Sequence, residues 1–257
     1  MKGFGTHPAK QIALLIWVIF FILHHPRTDA QVVVRPSLGL QSMAFIGDPP
    51  ATNSMSPGIE RELPLGGGLS GAQTGVRLQF EAFSPKNDML RLPISFEYFT
   101  LNGKTTFFLS SFQSTRKQRL TFTHEAQVAT AGIGLTASFF DVPSLYLTGE
   151  LKGVYFFETD LSSRIFYADN NETVESFTGH PSPEEFRVGG FVKLGTQLAF
   201  FEPFLLDFNV GVGTLNMLLK DTDPETQRNL LVADPTRHDP EQTLSYFSLG
   251  MTIVWKL

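Results

Sequence analysis

Cysteine is absent from the 257 residues, which excludes a disulfide scaffold, a Cys-ligated zinc site, an iron–sulfur cluster and a thiol nucleophile. Charge is sparse, at 18%, and 20 Lys+Arg against 25 Asp+Glu leave a net charge of -5. That balance excludes a protein whose main partner is the phosphate backbone of nucleic acid. Hydrophobic residues nevertheless reach 42%, too many for a disordered chain. Trp and Tyr are scarce, at 2 and 5, beside 25 Phe spread along the whole length. Past residue 23 no run approaches 18 consecutive apolar residues, so helical membrane spans are excluded. There is no Walker A loop, no dinucleotide fingerprint and no His-Glu-x-x-His, so no cofactor and no metal is expected.

What is present begins with an address. Residues 1–11 carry Lys2 and Lys10 and no acid, and the apolar run 12–23 follows. This is a positive n-region and an h-region too short to span a bilayer, and Thr28-Asp29-Ala30 supplies a cleavage site before Gln31. Residues 1–30 are therefore expected to be a cleavable signal peptide. Removing them takes away three bases and one acid, so the net charge moves from -5 to -7.

The remainder alternates apolar and polar residues at period two. Val76, Leu78 and Phe80 interleave with Arg77, Gln79 and Glu81; Leu92, Ile94, Phe96 and Tyr98 interleave with Pro93, Ser95 and Glu97. A helix would scatter those charges around its circumference, whereas a strand puts them on one face. Eight strands are expected, near 32–46, 68–83, 88–101, 120–140, 144–158, 185–201, 203–219 and 244–257. An added pair around Thr105-Thr106-Phe107-Phe108-Leu109 would make ten. Tight turns at Ser84-Pro85-Lys86-Asn87-Asp88, Asp141-Val142-Pro143 and Glu202-Pro203 alternate with long loops near 47–67, 102–119, 159–184 and 220–243. The fold expected for 31–257 is all-β: a closed antiparallel up-and-down transmembrane β-barrel, with short turns at one end and long external loops at the other.

The same alternation would suit a secreted lipocalin-like barrel turned the other way out. Two features favour the membrane arrangement. The polar parity is rich in Gly, which suits a narrow lumen, and Phe clusters at Phe83, Phe139-Phe140, Phe200-Phe201 and Phe204 flank the tight turns as an interfacial girdle would. In addition, Phe247, Leu249, Met251, Ile253, Trp255 and Leu257 share one parity of the final strand. This ending resembles the assembly signal of bacterial outer-membrane proteins, although Leu257 stands where an aromatic is usual. With the leader and the loop rhythm, the chain resembles small outer-membrane β-barrel proteins of the OmpA/OmpX/OmpW size class. The Phe-rich style and the ending look most like barrels of Bacteroidota. The resemblance implies the outer membrane of a Gram-negative bacterium, with the lipid bilayer, lipopolysaccharide, the outer-membrane assembly machinery and an envelope protein as partners.

With the apolar parity toward lipid, Arg35, Arg77, Glu81, Arg91, Glu97, Glu150, Lys152, Arg187, Lys193 and Asp207 point inward. An eight-stranded interior is only just wide enough for side chains, so these charges must pair, and a wide aqueous pore is excluded. Catalytic candidates are few. His124-Glu125 is expected at the rim of the fourth strand. His180-Pro181-Ser182 with Glu184-Glu185 superficially matches the His-x-Ser motif of outer-membrane lipid A deacylases, but residues so close in sequence rarely converge as a triad. Asp221-Thr222-Asp223-Pro224-Glu225 has alternating carboxylates without the Gly of a calcium loop. Lys104, Arg116, Lys117 and Arg119 form a basic stretch opposite the more acidic 159–184, with lipopolysaccharide phosphates as one candidate partner. The expected function is therefore non-enzymatic: a barrel acting through its loops in envelope structure, adhesion or partner docking. A narrow conduit for small or hydrophobic solutes is the alternative.

Overall fold

The computed structural model describes residues 32–46, 69–85, 87–109, 117–140, 144–179, 185–219 and 243–256. The leader at 1–30, the loop 47–67, nearly all of 220–243, the Asp141-Val142-Pro143 turn, the His180-Pro181-Ser182 group with Glu184, the 221–225 carboxylates and Leu257 lie outside the described residues.

Nine strands are described: β1 (Val33–Phe45), β2 (Ala72–Ser84), β3 (Asn87–Leu109), β4 (Gln118–Ser138), β5 (Ser144–Tyr167), β6 (Thr173–Gly179), β7 (Glu185–Phe201), β8 (Phe204–Thr214) and β9 (Ser245–Trp255). Every pairing is antiparallel, and eight of the strands close on themselves: β1 joins β9, and β4 joins β5. The fold is an all-β, closed eight-stranded barrel. The ninth strand, β6, is not a stave; it pairs with the far half of β5 alone, while β7 takes the near half.

The register fixes the barrel's geometry. From Gln41, the rungs run through Gly75, Phe99 and Val128 to Phe156 on β5; in the other direction they run through Gly250, Asn209 and Gly195 to Tyr146 on the same strand. That stagger of ten residues tilts the strands by about 40°. The alternation in sequence becomes an inside and an outside. Leu38, Leu40, Val76, Leu92, Ile133, Leu151, Val192, Leu249 and Ile253 are exposed, while the opposite parity is buried.

At the short-turn end, Phe200, Phe201, Phe204 and Trp255 form a chain of rings with centroids 4.8–5.9 Å apart. The Lys256 N–H donates to the Pro203 carbonyl at 2.8 Å, tying the end of β9 to the β7–β8 turn. Inward glycines make room for large neighbours. A Cβ on Gly195 would stand 2.3 Å from the Tyr146 ring, and one on Gly75 would stand 2.3 Å from Phe99.

Two loop expectations need correction. The segments at 102–119 and 159–184 are largely strand, because β3, β4 and β5 continue far past the rim and β6 adds to them. The Thr- and Phe-rich composition of 105–109 and 120–123 suits a ladder. Beyond the apolar band, however, polar residues occupy the outward parity as well, so the contrast that marks a half-buried strand fades. The 105–109 segment extends β3 and adds no separate pair of staves.

Candidate functional site

The lumen holds the site, in two layers. Nearer the short turns lies a network of charges. Arg77 donates from its two terminal nitrogens to Glu97 and Glu150, and from Nε to Gln79 Oε1 at 3.0 Å. Lys152 Nζ donates to both oxygens of Glu97, at 2.8 and 2.7 Å. Lys193 Nζ reaches Gln79 Oε1 at 3.0 Å and stands 3.4 Å from Glu150. The Ser95 hydroxyl donates to the second carboxylate oxygen of Glu150, and the Thr130 hydroxyl adds a further bond to Glu97, each at 2.9 Å.

Gln79 is the junction, because its amide donates to Glu81 at 2.9 Å. Glu81 also accepts from Arg35 at 2.6 Å and from Arg91 at 3.1 Å. Both arginines touch Gln197 Oε1 at 3.3 Å, and Gln197 donates onward to Asp207 at 3.2 Å. Tyr146 and Asn209 complete Asp207, at 2.8 and 2.9 Å. Nine of the ten residues assigned inward by parity thus sit in one connected set, drawn from β1, β2, β3, β5, β7 and β8. The tenth, Arg187, is buried near the opposite end of β7 and donates to the Phe186 carbonyl at 3.1 Å. Gln41 and Ser248 are buried in the same lumen, and their side-chain polar atoms have no partner among the described residues.

The second layer was not anticipated from sequence. Toward the long-loop end, Met43, Leu69, Phe99, Leu101, Val128, Val154, Phe156, Leu215, Leu244 and Tyr246 pack into a buried apolar stopper. Phe191 joins the layers: its ring stacks on Tyr246 with centroids 5.8 Å apart and faces Lys152 Nζ at 4.2 Å. The sequence did hold a signal for this layer. The inward parity changes character along each strand, from Glu97 to Phe99 and Leu101, and from Lys152 to Val154 and Phe156. That switch marks where a charge-filled interior becomes an apolar one.

His124 sits above the stopper on the inward parity of β4, in the part of that strand beyond the apolar band. It is 3% exposed, and neither ring nitrogen has a partner among the described residues. Burial pushes its pKa from 6.5 down to about 4, so it is neutral at pH 7. Because the unfolded chain binds this proton more readily, the stabilisation is complete above pH 6.5 and is lost as pH falls toward 4. Up to about 3 kcal/mol should disappear across that window. Protection factors for amides in β3 and β4 near His124, taken relative to intrinsic exchange at each pH, should fall between pH 6.5 and 4, and a His124→Leu variant should abolish the dependence. Equal acid sensitivity in that variant would remove His124 as the cause. Glu125 is exposed on the opposite face, so the two side chains do not act as a dyad.

Phe247, Leu249, Met251, Ile253 and Trp255 all lie exposed on the outward face of β9. Among the described residues no three His, Asp or Glu side chains are grouped as metal ligands would be.

No protein-family model and no curated protein sequence matches the chain. Among solved structures the chain is similar to Neisserial surface protein A, with a TM-score of 0.43 and 9% identity over 88% of this chain and 99% of that one. It is also similar to Ail, the attachment invasion locus protein of Yersinia pestis, crystallised with the heparin analogue sucrose octasulfate (TM-score 0.32, 12% identity, 86% of this chain and 97% of that one). A further match is the translocator domain of the autotransporter NalP from Neisseria meningitidis (TM-score 0.25, 9% identity, 97% of this chain and 96% of that one).

Proposed function

We propose that the protein is a non-enzymatic integral outer-membrane β-barrel with a side-chain-filled lumen. It acts through its external loops and projecting strands in envelope structure, adhesion or the docking of an envelope protein. The observation that carries this reading is the inverted distribution of side chains. Paired charges are buried inside, and large apolar side chains cover the outside of the staves. In water such an exterior would be a very large apolar patch, far beyond what soluble monomers expose. In a bilayer it is the solvated face: ten rises of about 3.3 Å at about 40° of tilt span roughly 25 Å, the height of an outer-membrane apolar band.

The parity of β9 supports recognition by the assembly machinery, and the leader supports export. The lumen supports a structural role. Its five cations and four acids are joined in one hydrogen-bonded set across six strands, and the stopper seals the end nearest the loops.

The reading is tested by refolding residues 31–257 into lipid vesicles and following gel migration with and without boiling. The unboiled protein should migrate as a compact species. Leu151 lies midway along the outward face of β5, 56% exposed. Leu151→Arg should destabilise the inserted barrel by about 2–4 kcal/mol, as midplane arginines do. On a water-exposed surface the same change would cost within about 0.5 kcal/mol. A protein that stays soluble without detergent and tolerates Leu151→Arg would refute the membrane assignment. Trimming the β5–β6 hairpin should abolish attachment or envelope phenotypes while leaving the heat shift intact.

A further inference from the structure

The ends of β3, β4 and β5 beyond the apolar band, together with β6, form a projecting sheet. Its outward face continues the face that meets lipid below. On β4 the outward parity passes from Leu135 and Ile133 to Glu125, Thr123, Thr121 and Arg119. There the surface carries a polar hollow of about 430 Å³ with three cations around it, Lys104, Arg119 and Arg164. They come from three strands. Lys104 lies in register with Thr123 and Ser162, Arg164 with Thr121 one rung farther out, and Arg119 with Phe166 one rung beyond that. Thr106, Thr121, Thr123 and Ser162 line the hollow between them, with the Thr106 and Thr121 hydroxyls 3.3 Å apart.

Arg119 is held ready for a ligand. It donates from Nη2 to Asn171 Oδ1 at 2.9 Å and lies over the Phe166 ring at 5.3 Å, while its buried Nε has no partner among the described residues. A guanidinium whose plane is fixed by Asn171 and the Phe166 ring is suited to an oxyanion with several acceptor oxygens. Glu125 lines the lower edge of the hollow, one rung below Thr123 and Lys104, so negative charge lies nearest the bilayer and positive charge farther out.

We propose that this face binds a phosphate carried on the saccharide headgroup of the glycolipid surrounding the barrel. The inference rests on the outer-membrane reading. Position selects the ligand. Tyr98, whose hydroxyl donates to Gln127 at 2.8 Å, marks the top of the lipid-facing band. Lys104 stands six residues farther along β3, about 15 Å higher at this tilt. At that height the groups beside an outer-membrane barrel are sugars and their phosphates, not acyl chains. The acidic lower edge further selects a phosphate on the outer part of the headgroup over one at the hydrocarbon boundary. Hydroxyl donors between spaced cations suit a sugar phosphate, whose own hydroxyls bond in turn.

The test uses the folded barrel in detergent and immobilised rough lipopolysaccharide, intact or chemically stripped of phosphate. Wild type should bind the intact lipid at least about tenfold more tightly than the stripped lipid. The Lys104→Gln/Arg119→Gln/Arg164→Gln variant should bind the intact lipid as weakly as wild type binds the stripped one. Equal binding by the triple variant, or indifference of wild type to phosphate removal, would overturn the proposal. Displacement by free glucose 1-phosphate at concentrations matching the lipid's own affinity would overturn the headgroup as the source. The heat shift of each variant reports folding, and Arg164→Gln alone, exposed on the sheet, serves if the triple variant loses it. A wild-type barrel that inserts into vesicles but ignores phosphate refutes this site alone; one that fails to insert refutes the membrane reading.

Discussion

Replacing Glu97 with alanine is expected to destabilise the folded barrel by about 3–5 kcal/mol, the usual cost of breaking a buried ion pair from one side. Glu97 is 4% exposed and takes hydrogen bonds from Arg77, Lys152 and Thr130. Without it, Lys152 Nζ loses its described hydrogen-bond acceptors and remains 1% exposed beside the Phe191 ring. The temperature at which the compact, unboiled form disappears should fall steeply. A double variant, Glu97→Gln with Lys152→Met, should recover most of the loss, because a neutral pair leaves no orphaned charge in the lumen. If Glu97→Ala shifted the transition by less than about 1 kcal/mol, water would be reaching Lys152 and the lumen would not be filled.

The asymmetry of that cycle says what the network is for. Glu81 near the short turns pairs with Arg35 and Arg91, and Asp207 joins both through Gln197, while Glu97 and Glu150 higher up face Arg77, Lys152 and Lys193. The lower group is balanced, the upper carries one extra cation, and Gln79 joins them. Removing either partner of such a pair is costly, yet exchanging the whole pair for apolar groups is not. The network therefore contributes register more than raw stability. A one-residue slip of any stave would turn its charges onto the apolar outer face and its leucines into the lumen.

Much of this was readable before any fold was seen, and for one physical reason. A stave with an apolar outer face and a charged inner one has the strongest two-sided contrast a strand can have, so the parity of Arg77, Glu97, Lys152 and Lys193 already distinguished the faces. The tight turns between β2 and β3 and at Glu202-Pro203 were legible from Pro, Asn and Asp. What parity could not give was the extent of β3, β4 and β5 beyond the band, since Lys104, Thr106, Thr121 and Arg164 put polar residues where lipid contact would require apolar ones. The switch from Glu97 to Phe99 and from Lys152 to Val154 marks two layers within single strands, but parity alone did not show that these switches line up at one height across the barrel. Height is set by the ten-residue stagger, which pairs Phe156 with Val128 while Tyr146, on the same strand, pairs with Gly195. Stagger is a property of the closed ring and is not written in any single strand.

The stopper supplies the second large effect. Phe191 is 2% exposed, stacks on Tyr246, covers Lys152 and packs so closely over Gly211 that a Cβ there would stand 2.6 Å from its ring. Phe191→Ala should cost about 3–5 kcal/mol, from lost burial and a cavity that staves held by their ladders cannot collapse to fill. Permeation should not follow from that loss. Below Phe191 the lumen is still crossed by Arg77, Glu97, Glu150 and Lys193, which are joined side chain to side chain. Wild type and Phe191→Ala should therefore both be silent in planar bilayers, while the variant melts at a clearly lower temperature. Regular conductance steps from wild type would mean that the charged layer parts readily and would restore the conduit reading. Steps from Phe191→Ala alone would assign the whole seal to the apolar layer and leave the charges a purely registering role.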